Sequence, residues 1–347
     1  MDAITPARPT GRDLPQRNRH LDSVKGVLII LVVLGHLLQA QIDEPAIGQL
    51  YRFIYLFHMP AFVCIAGMFS RFELDAEGLA KLIRGVVAPL LLFTILYEAN
   101  YVGIHGEVSH YTRGLQPFWI LWFLLSMLCW RLFAPLLVRS RVPLLLSVLI
   151  AVLSACVEDT GYYLGLSRTF VFLPFFLLGM LYGPPAVAWM QRPRRLTPLL
   201  VLLALAVLAL IASQAWRLGV HWLYGSYSFP ALDVDAAHGS ARRLWLYALS
   251  TATMACVVYV CLRTRLFHVA GRRSLQVYVW HGLLIQRAWA MNLPEKFWQL
   301  CHGNAALFVA GLLVVSVVLA RLLATQPVKV FTDMLLKPFH VLLLRPS

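Results

Sequence analysis

Charge is scarce in this chain, and acidic charge scarcer still: 13% of its 347 residues are Asp, Glu, Lys or Arg, and only 16 are acidic. With 60% hydrophobic residues and a mean hydropathy of +0.71, that scarcity excludes a water-soluble domain of this size. No G-x-x-x-x-G-K-[ST] loop is present, and no glycine-rich turn joins a strand to a helix, which removes the usual nucleotide-phosphate cradles. No repeat of fixed period appears, and no polar stretch is long enough to hold a soluble domain between the apolar runs. The six cysteines lack metal-ligand spacing. Cys64, Cys129, Cys256 and Cys261 lie inside apolar runs and behave as small hydrophobes, while Cys156 and Cys301 stand near one face, where a disulfide between them is an option.

What is present is a series of apolar runs, each about long enough to cross roughly 30 Å of hydrocarbon as a helix. They fall near 24–40, 51–69, 83–102, 117–137, 142–157, 169–183, 197–214, 243–262, 274–290 and 305–323. The expected fold is an all-α polytopic bundle of about ten transmembrane helices. The runs 142–157 and 169–183 are short, and the count falls if they form one re-entrant unit. Lys and Arg test the topology, because cytoplasmic connections collect positive charge. With the N-terminus inside, most of the 30 basic residues fall on inner segments. Lys25 then precedes the first span, Lys81 and Arg84 the third, Arg131, Arg139 and Arg141 follow the fourth, and Arg192, Arg194 and Arg195 follow the sixth. Arg52, Arg168, Arg242 and Arg243 remain outside. Both termini are therefore expected in the cytoplasm. The net charge of +14 is spread over these connections and forms no groove for nucleic acid.

The Arg-rich start, the apolar stretch and Ala40 also fit the outline of a secretory signal. Cleavage would leave an odd number of spans and undo the charge alternation, so the stretch reads as the first span. Residues 1–20 form a polar cytoplasmic tail, 21–325 the transmembrane domain, and 326–347 a cytoplasmic tail in which Val328–Leu344 alternates Lys329, Asp333, Lys337 and His340 with apolar residues, as an amphipathic helix does. The longest outer connection, Trp216 to Arg243, carries Trp222, Tyr224, Tyr227, Asp233 and Asp235, a composition that suits either a sugar-contacting surface or interfacial anchors.

Ionisable side chains inside a span are costly and mark function. His36 lies in Val27–Ala40 and His58 in Phe57-His58-Met59-Pro60 of the second span. Eleven residues separate Lys25 from His36, roughly 16 Å along a helix, so on adjacent antiparallel helices both imidazoles reach similar depths. Glu98, Asn100 and His281 fall in the same half of the bundle. An imidazole ordinarily titrates near 6.5 and takes a proton from a hydroxyl at neutral pH, which suits acyl transfer to an alcohol. Glu98 or a second histidine would orient it or protonate a leaving thiolate, and His58, His281 or Asn100 would donate to an oxyanion. The competing readings are helix-to-helix hydrogen bonding for His36, a capped carbonyl near Pro60 for His58, and an interfacial acid for Glu98. Asp22 and Lys25 flank the first span either as substrate contacts or as an electrostatic anchor. A phosphorylated donor would meet the basic connections, with Arg71 and Arg84 placed for contact or present through positive-inside bias alone.

The stretch Arg19-His20-Leu21-Asp22-Ser23-Val24-Lys25-Gly26, running on to Val33-Leu34-Gly35-His36, resembles the opening helix of the acyltransferase-3 family of membrane O-acyltransferases. Phe57-His58-Met59-Pro60 with Ala66-Gly67-Met68-Phe69 is similar to that family's second helix, in its fucose 4-O-acetylase-like branch. Phe118-Trp119-Ile120-Leu121-Trp122-Phe123-Leu124 and Ser274-Leu275-Gln276-Val277-Tyr278-Val279-Trp280-His281 resemble later segments. The resemblance implies transfer of acetyl from cytoplasmic acetyl-CoA to a sugar hydroxyl at the periplasmic side, with no metal. His36 would be catalytic, with His58, Glu98 and His281 beside it. Asp22, Lys25, Arg71 and Trp122 would bind substrate, Lys25 filling the basic position of the family's R/K-x10-H pattern. Of the family's R-x-R pair only Arg71 is matched, since Phe72 and Glu73 follow. The acceptor implied is a bacterial exopolysaccharide of xanthan type or its lipid-linked repeat unit, with mannose as the sugar. A transporter or flippase of a lipid-linked or sugar substrate, and an assembly role in a polysaccharide complex, are the other two readings. Paired repeats with helices broken at matching positions would mark a transporter, and neither is evident.

Overall fold

A computed structural model describes residues 18–344 apart from 159, 160 and 162, so most of the expected N-terminal tail lies outside the described residues. Among the described residues the regular structure is all helix. In chain order the helices are α1 (Arg19–Leu38), α2 (Pro45–Met68), α3 (Ala76–Leu82), α4 (Ala88–His105), α5 (His110–Arg113), α6 (Trp122–Leu137), α7 (Pro143–Ala155) and α8 (Leu166–Gln191). They continue as α9 (Thr197–Ser213), α10 (Val220–Tyr224), α11 (Ala236–Cys261), α12 (His268–Arg272), α13 (Ser274–Ala290), α14 (Leu293–Leu300), α15 (Ala305–Leu323) and α16 (Gln326–Leu343). A π-helical turn, Ile83–Val87, joins α3 to α4. Among the described residues seven helices are long and apolar enough to cross a membrane: Arg19–Gln41, Pro45–Met68, Ala76–His105, Trp119–Leu137, Tyr163–Gln191, Ala236–Cys261 and Ala305–Leu323. The other three expected spans coincide with α7, α9 and α13, which have 13, 17 and 17 residues. At 1.5 Å per residue these reach about 20–25 Å, short of a full crossing.

Hydrogen bonds between distant segments fix the direction of each helix. At the end where α1 begins, the near end, Asn18 Nδ2 donates to Gln191 at 3.0 Å, the His20 ring pairs with the Thr264 carbonyl at 3.1 Å, and Arg273 donates to the Ala324 carbonyl. At the far end Gln41 donates to Glu295 at 2.6 Å, Gln49 to the Ala212 carbonyl at 2.9 Å, and Asn100 to Gln286 at 2.9 Å. With the shorter α9 and α13 counted in, the helices that these bonds join run alternately from one end to the other, which is what short connections between antiparallel neighbours produce.

Two crossings rest on glycine. A Cβ built on Gly179 of α8 would overlap the Cys64 carbonyl of α2, and one on Gly67 would overlap the Phe176 carbonyl in return. Likewise a Cβ on Gly271 of α12 would overlap the Asp22 carbonyl, and one on Gly26 the Phe267 carbonyl. Small residues let helix backbones touch where lipid supplies no hydrophobic drive between helices. The first crossing holds α2 and α8, and the second locks the start of α1.

Several boundaries differ from expectation. The run 169–183 reads as short, yet α8 continues to Gln191 with Pro184 and Pro185 inside it. Two amide donors are lost, but a spanning helix tolerates this where a neighbour packs on it, and Gly183 lies against Met68 of α2. Segments α7 and α8 are two separate helices packed against each other. The outer connection ends at Ala236, because Asp235 caps α11 by accepting from the amides of Ala237 and His238. The His238 amide bond leads the interactions that hold the Asp235 carboxyl below its ordinary range. Arg243 thus sits inside a helix, 2% exposed, donating to the Trp222 carbonyl at 3.1 Å. All six cysteines are free, Cys156 and Cys301 included. The expected amphipathic segment is α16, which pairs Lys329 with Asp333 and accepts a 2.8 Å bond from Trp280 Nε1 at Thr332.

Candidate active site

Far-end segments of six helices enclose a cavity of about 590 Å³. His36 and Gln39 come from the close of α1, Tyr55 and His58 from α2, Tyr101 and His105 from α4, Trp119 and Trp122 from the start of α6, Arg168 and Phe172 from the start of α8, and Gln286 and Trp289 from the close of α13. The imidazole of His36 is partly exposed and faces this space. Its ring lies 4.7 Å from Trp119 and 5.5 Å from His281, centroid to centroid. Nδ1 of His36 is buried without a hydrogen-bond partner. Past Lys25, His36 is the one ionisable side chain of α1, and it lies on the cavity wall.

The other two histidines have their tautomers set by backbone. His58 Nδ1 lies 2.8 Å from the Ile54 carbonyl and His281 Nδ1 lies 3.1 Å from the Val277 carbonyl, each one turn back on its own helix. A carbonyl only accepts, so Nδ1 carries the proton in both rings and Nε2 carries the lone pair. His58 is 3% exposed and still reaches the cavity wall; His281 is wholly buried, and its Nε2 has no partner. The carbonyl that His58 caps is its own helical acceptor, Ile54, not the Leu56 carbonyl freed by Pro60.

Of the candidate residues, the structure brings together His36, His58, His281 and Trp122. Trp122 stacks on Phe172 at 5.4 Å, with the Arg168 guanidinium 5.1 Å above its ring. Glu98 is elsewhere: its carboxylate accepts from the Ser109 amide at 2.8 Å, the Ser109 hydroxyl at 2.6 Å and the Thr112 hydroxyl at 2.7 Å. It fastens the turn that starts α5 and does not line the cavity. Asn100 is likewise held, between Gln286 and Arg287. Arg71 is clamped by Asp75 at 2.8 Å and Glu77 at 3.1 Å. Arg168, read from sequence as an outer loop charge, is in the wall two residues into α8. Of the connection 216–243, Leu223, Tyr224 and Ser226 reach the cavity, while Trp222 is packed beneath Arg243.

A second cavity of about 210 Å³ lies toward the near end. Lys25 of α1, Phe69 just past α2, Gly85 and Val86 of the π turn, Arg131 of α6 and Ser274 of α13 line it. Lys25 pairs with Asp22 at 2.7 Å and sits 5.4 Å from the Phe69 ring centre. Val32, Met59 and Tyr278 line both cavities. The two spaces therefore meet across one wall, one turn below His36, and approach it from opposite ends of the bundle. Among the described residues no group of three or more His, Cys, Asp or Glu side chains is placed to hold a metal ion.

The acyltransferase domain family matches residues 18–325. The chain is 28% identical over 340 residues to nodulation protein NolL of Sinorhizobium fredii, covering 89% of this chain and 88% of that protein. It is 23% identical to nodulation protein NolL of Mesorhizobium japonicum, over 91% and 87% of the two chains. No solved structure matches. A buried-helix imidazole open to a cavity and a match reaching almost from end to end agree: this chain is a multi-pass membrane protein of the acyltransferase-3 family.

Proposed function

We propose that the protein is an O-acetyltransferase that takes acetyl from acetyl-CoA at the near, cytoplasmic face and places it on a sugar hydroxyl entering from the far, periplasmic face. The observation that carries this reading is the junction of two cavities beside His36. The wide one, walled by Tyr55, Tyr101, Trp119, Trp122, Tyr224 and Trp289, suits a sugar, whose C–H faces pack on aromatic rings. The narrow one suits a thioester on a slender arm.

His36 takes the hydroxyl proton as the acceptor oxygen attacks the thioester carbonyl carbon. The tetrahedral intermediate then collapses, the C–S bond breaks, and the proton passes from His36 to the sulfur. The products are an acetyl ester and free thiol. His281 keeps a lone pair at Nε2 close by and favours the imidazolium that forms, and His58 does so from its own place on the cavity wall. Neither ring in this tautomer donates to an oxyanion, so that task falls to Gln39 or Arg168. The acceptor is a sugar of an exopolysaccharide or its lipid-linked repeat unit, with mannose the first to test.

Purified protein, acetyl-labelled acetyl-CoA and lipid-linked saccharides should yield base-labile O-acetyl on the saccharide. Movement of saccharide between leaflets without label would establish a transporter instead. In the same assay Trp122→Ala should raise KM for the acceptor about tenfold and leave KM for acetyl-CoA unchanged, the loss expected for one stacked ring. Equal changes in both constants would remove Trp122 from the acceptor site.

A further inference from the structure

The narrow cavity holds a charge that nothing so far employs. Arg131 stands within the apolar stretch of α6, between Trp130 and Leu132, and lines that cavity near its mouth. Its Nε is buried without a hydrogen-bond partner, and among the described residues no carboxylate pairs with its guanidinium. A guanidinium kept in apolar surroundings with no counter-ion is expensive unless an anion arrives to meet it. Two other cations are already paired: Lys25 has Asp22, and Arg71 has Asp75 and Glu77 and lines neither cavity.

We propose that Arg131 receives phosphate oxygens of the acyl donor at the near mouth of the narrow cavity. The inference rests on the acetyltransferase reading. About 210 Å³ is below the size that encloses a whole drug-sized ligand, so the cavity admits a thin carrier arm while the phosphates and nucleotide stay at the mouth. The remaining walls, Ile65, Phe123, Leu124 and Met127 among them, are apolar and fit such an arm. Arg binds phosphate through two parallel N–H bonds, a geometry lysine lacks. A membrane lipid headgroup offers the same phosphate chemistry, and the experiment separates the two sources.

The full-length protein in maltoside detergent, which carries no phosphate, is assayed with acetyl-CoA and with S-acetyl-pantetheine, which has the thioester arm but no phosphate. Arg131→Gln should raise KM for acetyl-CoA tenfold or more with kcat unchanged, and leave KM for S-acetyl-pantetheine as in the parent. Arg131→Lys should recover part of the loss. Equal weakening toward both donors would overturn the proposal, because a merely structural role does not distinguish them. A parent inactive with both donors would contradict the acetyltransferase reading, and thermal stabilisation by free coenzyme A then decides the anion site. Stabilisation present in the parent and lost in Arg131→Gln supports the site; Arg131-dependent stabilisation by phosphatidylglycerol and none by coenzyme A overturns the donor assignment.

Discussion

His36→Gln should lower acetyl transfer by about 10²–10⁴-fold while the protein accumulates in the membrane at the parent's level. The size follows from removing a positioned base, worth about 3–5 kcal/mol of barrier at those ratios. Abundance should hold because the residue is partly exposed to a cavity and its ring contacts are an edge contact with Trp119 and a tilted one with His281. Glutamine keeps a polar side chain there but cannot accept and return a proton near neutral pH. His58→Gln makes the informative comparison: its Nδ1 is tied to Ile54, so the substitution should lower transfer less than at His36. Quantifying O-acetyl per unit of folded protein checks both, and a His36→Gln variant with parental turnover would dismiss the base.

Gly179→Leu should remove most folded protein from the membrane. The Cβ alone would overlap the Cys64 carbonyl, and that atom belongs to backbone, which cannot swing aside. The helices must separate, at about 3 kcal/mol or more by the cost of overpacking, a large share of the roughly 5–15 kcal/mol that holds a typical domain. The damage reaches the site because α2 carries Tyr55 and His58 and α8 carries Arg168 and Phe172. Size-exclusion profiles of detergent extracts measure it. Gly85→Ala is the control for abundance, since nothing lies within 4 Å of a Cβ at that position. Equal recovery of Gly179→Leu and the parent would show that the crossing is looser than described.

The membrane class and the three histidines were legible from residues alone, because an ionisable side chain in an apolar helix stands out against its neighbours. Arg131 carried the same signal, lying within the expected span 117–137, but the positive-inside count absorbed it as a loop charge. Arg168 was hidden by a boundary: α8 starts at Leu166, earlier than the apolar run, so a wall residue read as a connection. Glu98 failed in the opposite direction. It is an acid near the end of an apolar helix, as a site residue would be, yet its three hydrogen bonds run to a following turn whose path sequence does not reveal. The meeting of two cavities was beyond sequence, since Val32, Met59 and Tyr278, which line both, come from three helices and are unremarkable in each.

Inverted membrane vesicles, with the cytoplasmic face outward and lipid-linked saccharide confined to the lumenal leaflet, test most directly that one histidine serves two opposed cavities. Impermeant labelled acetyl-CoA is supplied only outside. The lumenal saccharide should acquire label, and should not in vesicles carrying His36→Gln. Label that appears only on saccharide sharing the donor's side would contradict a reaction centre reached from both faces.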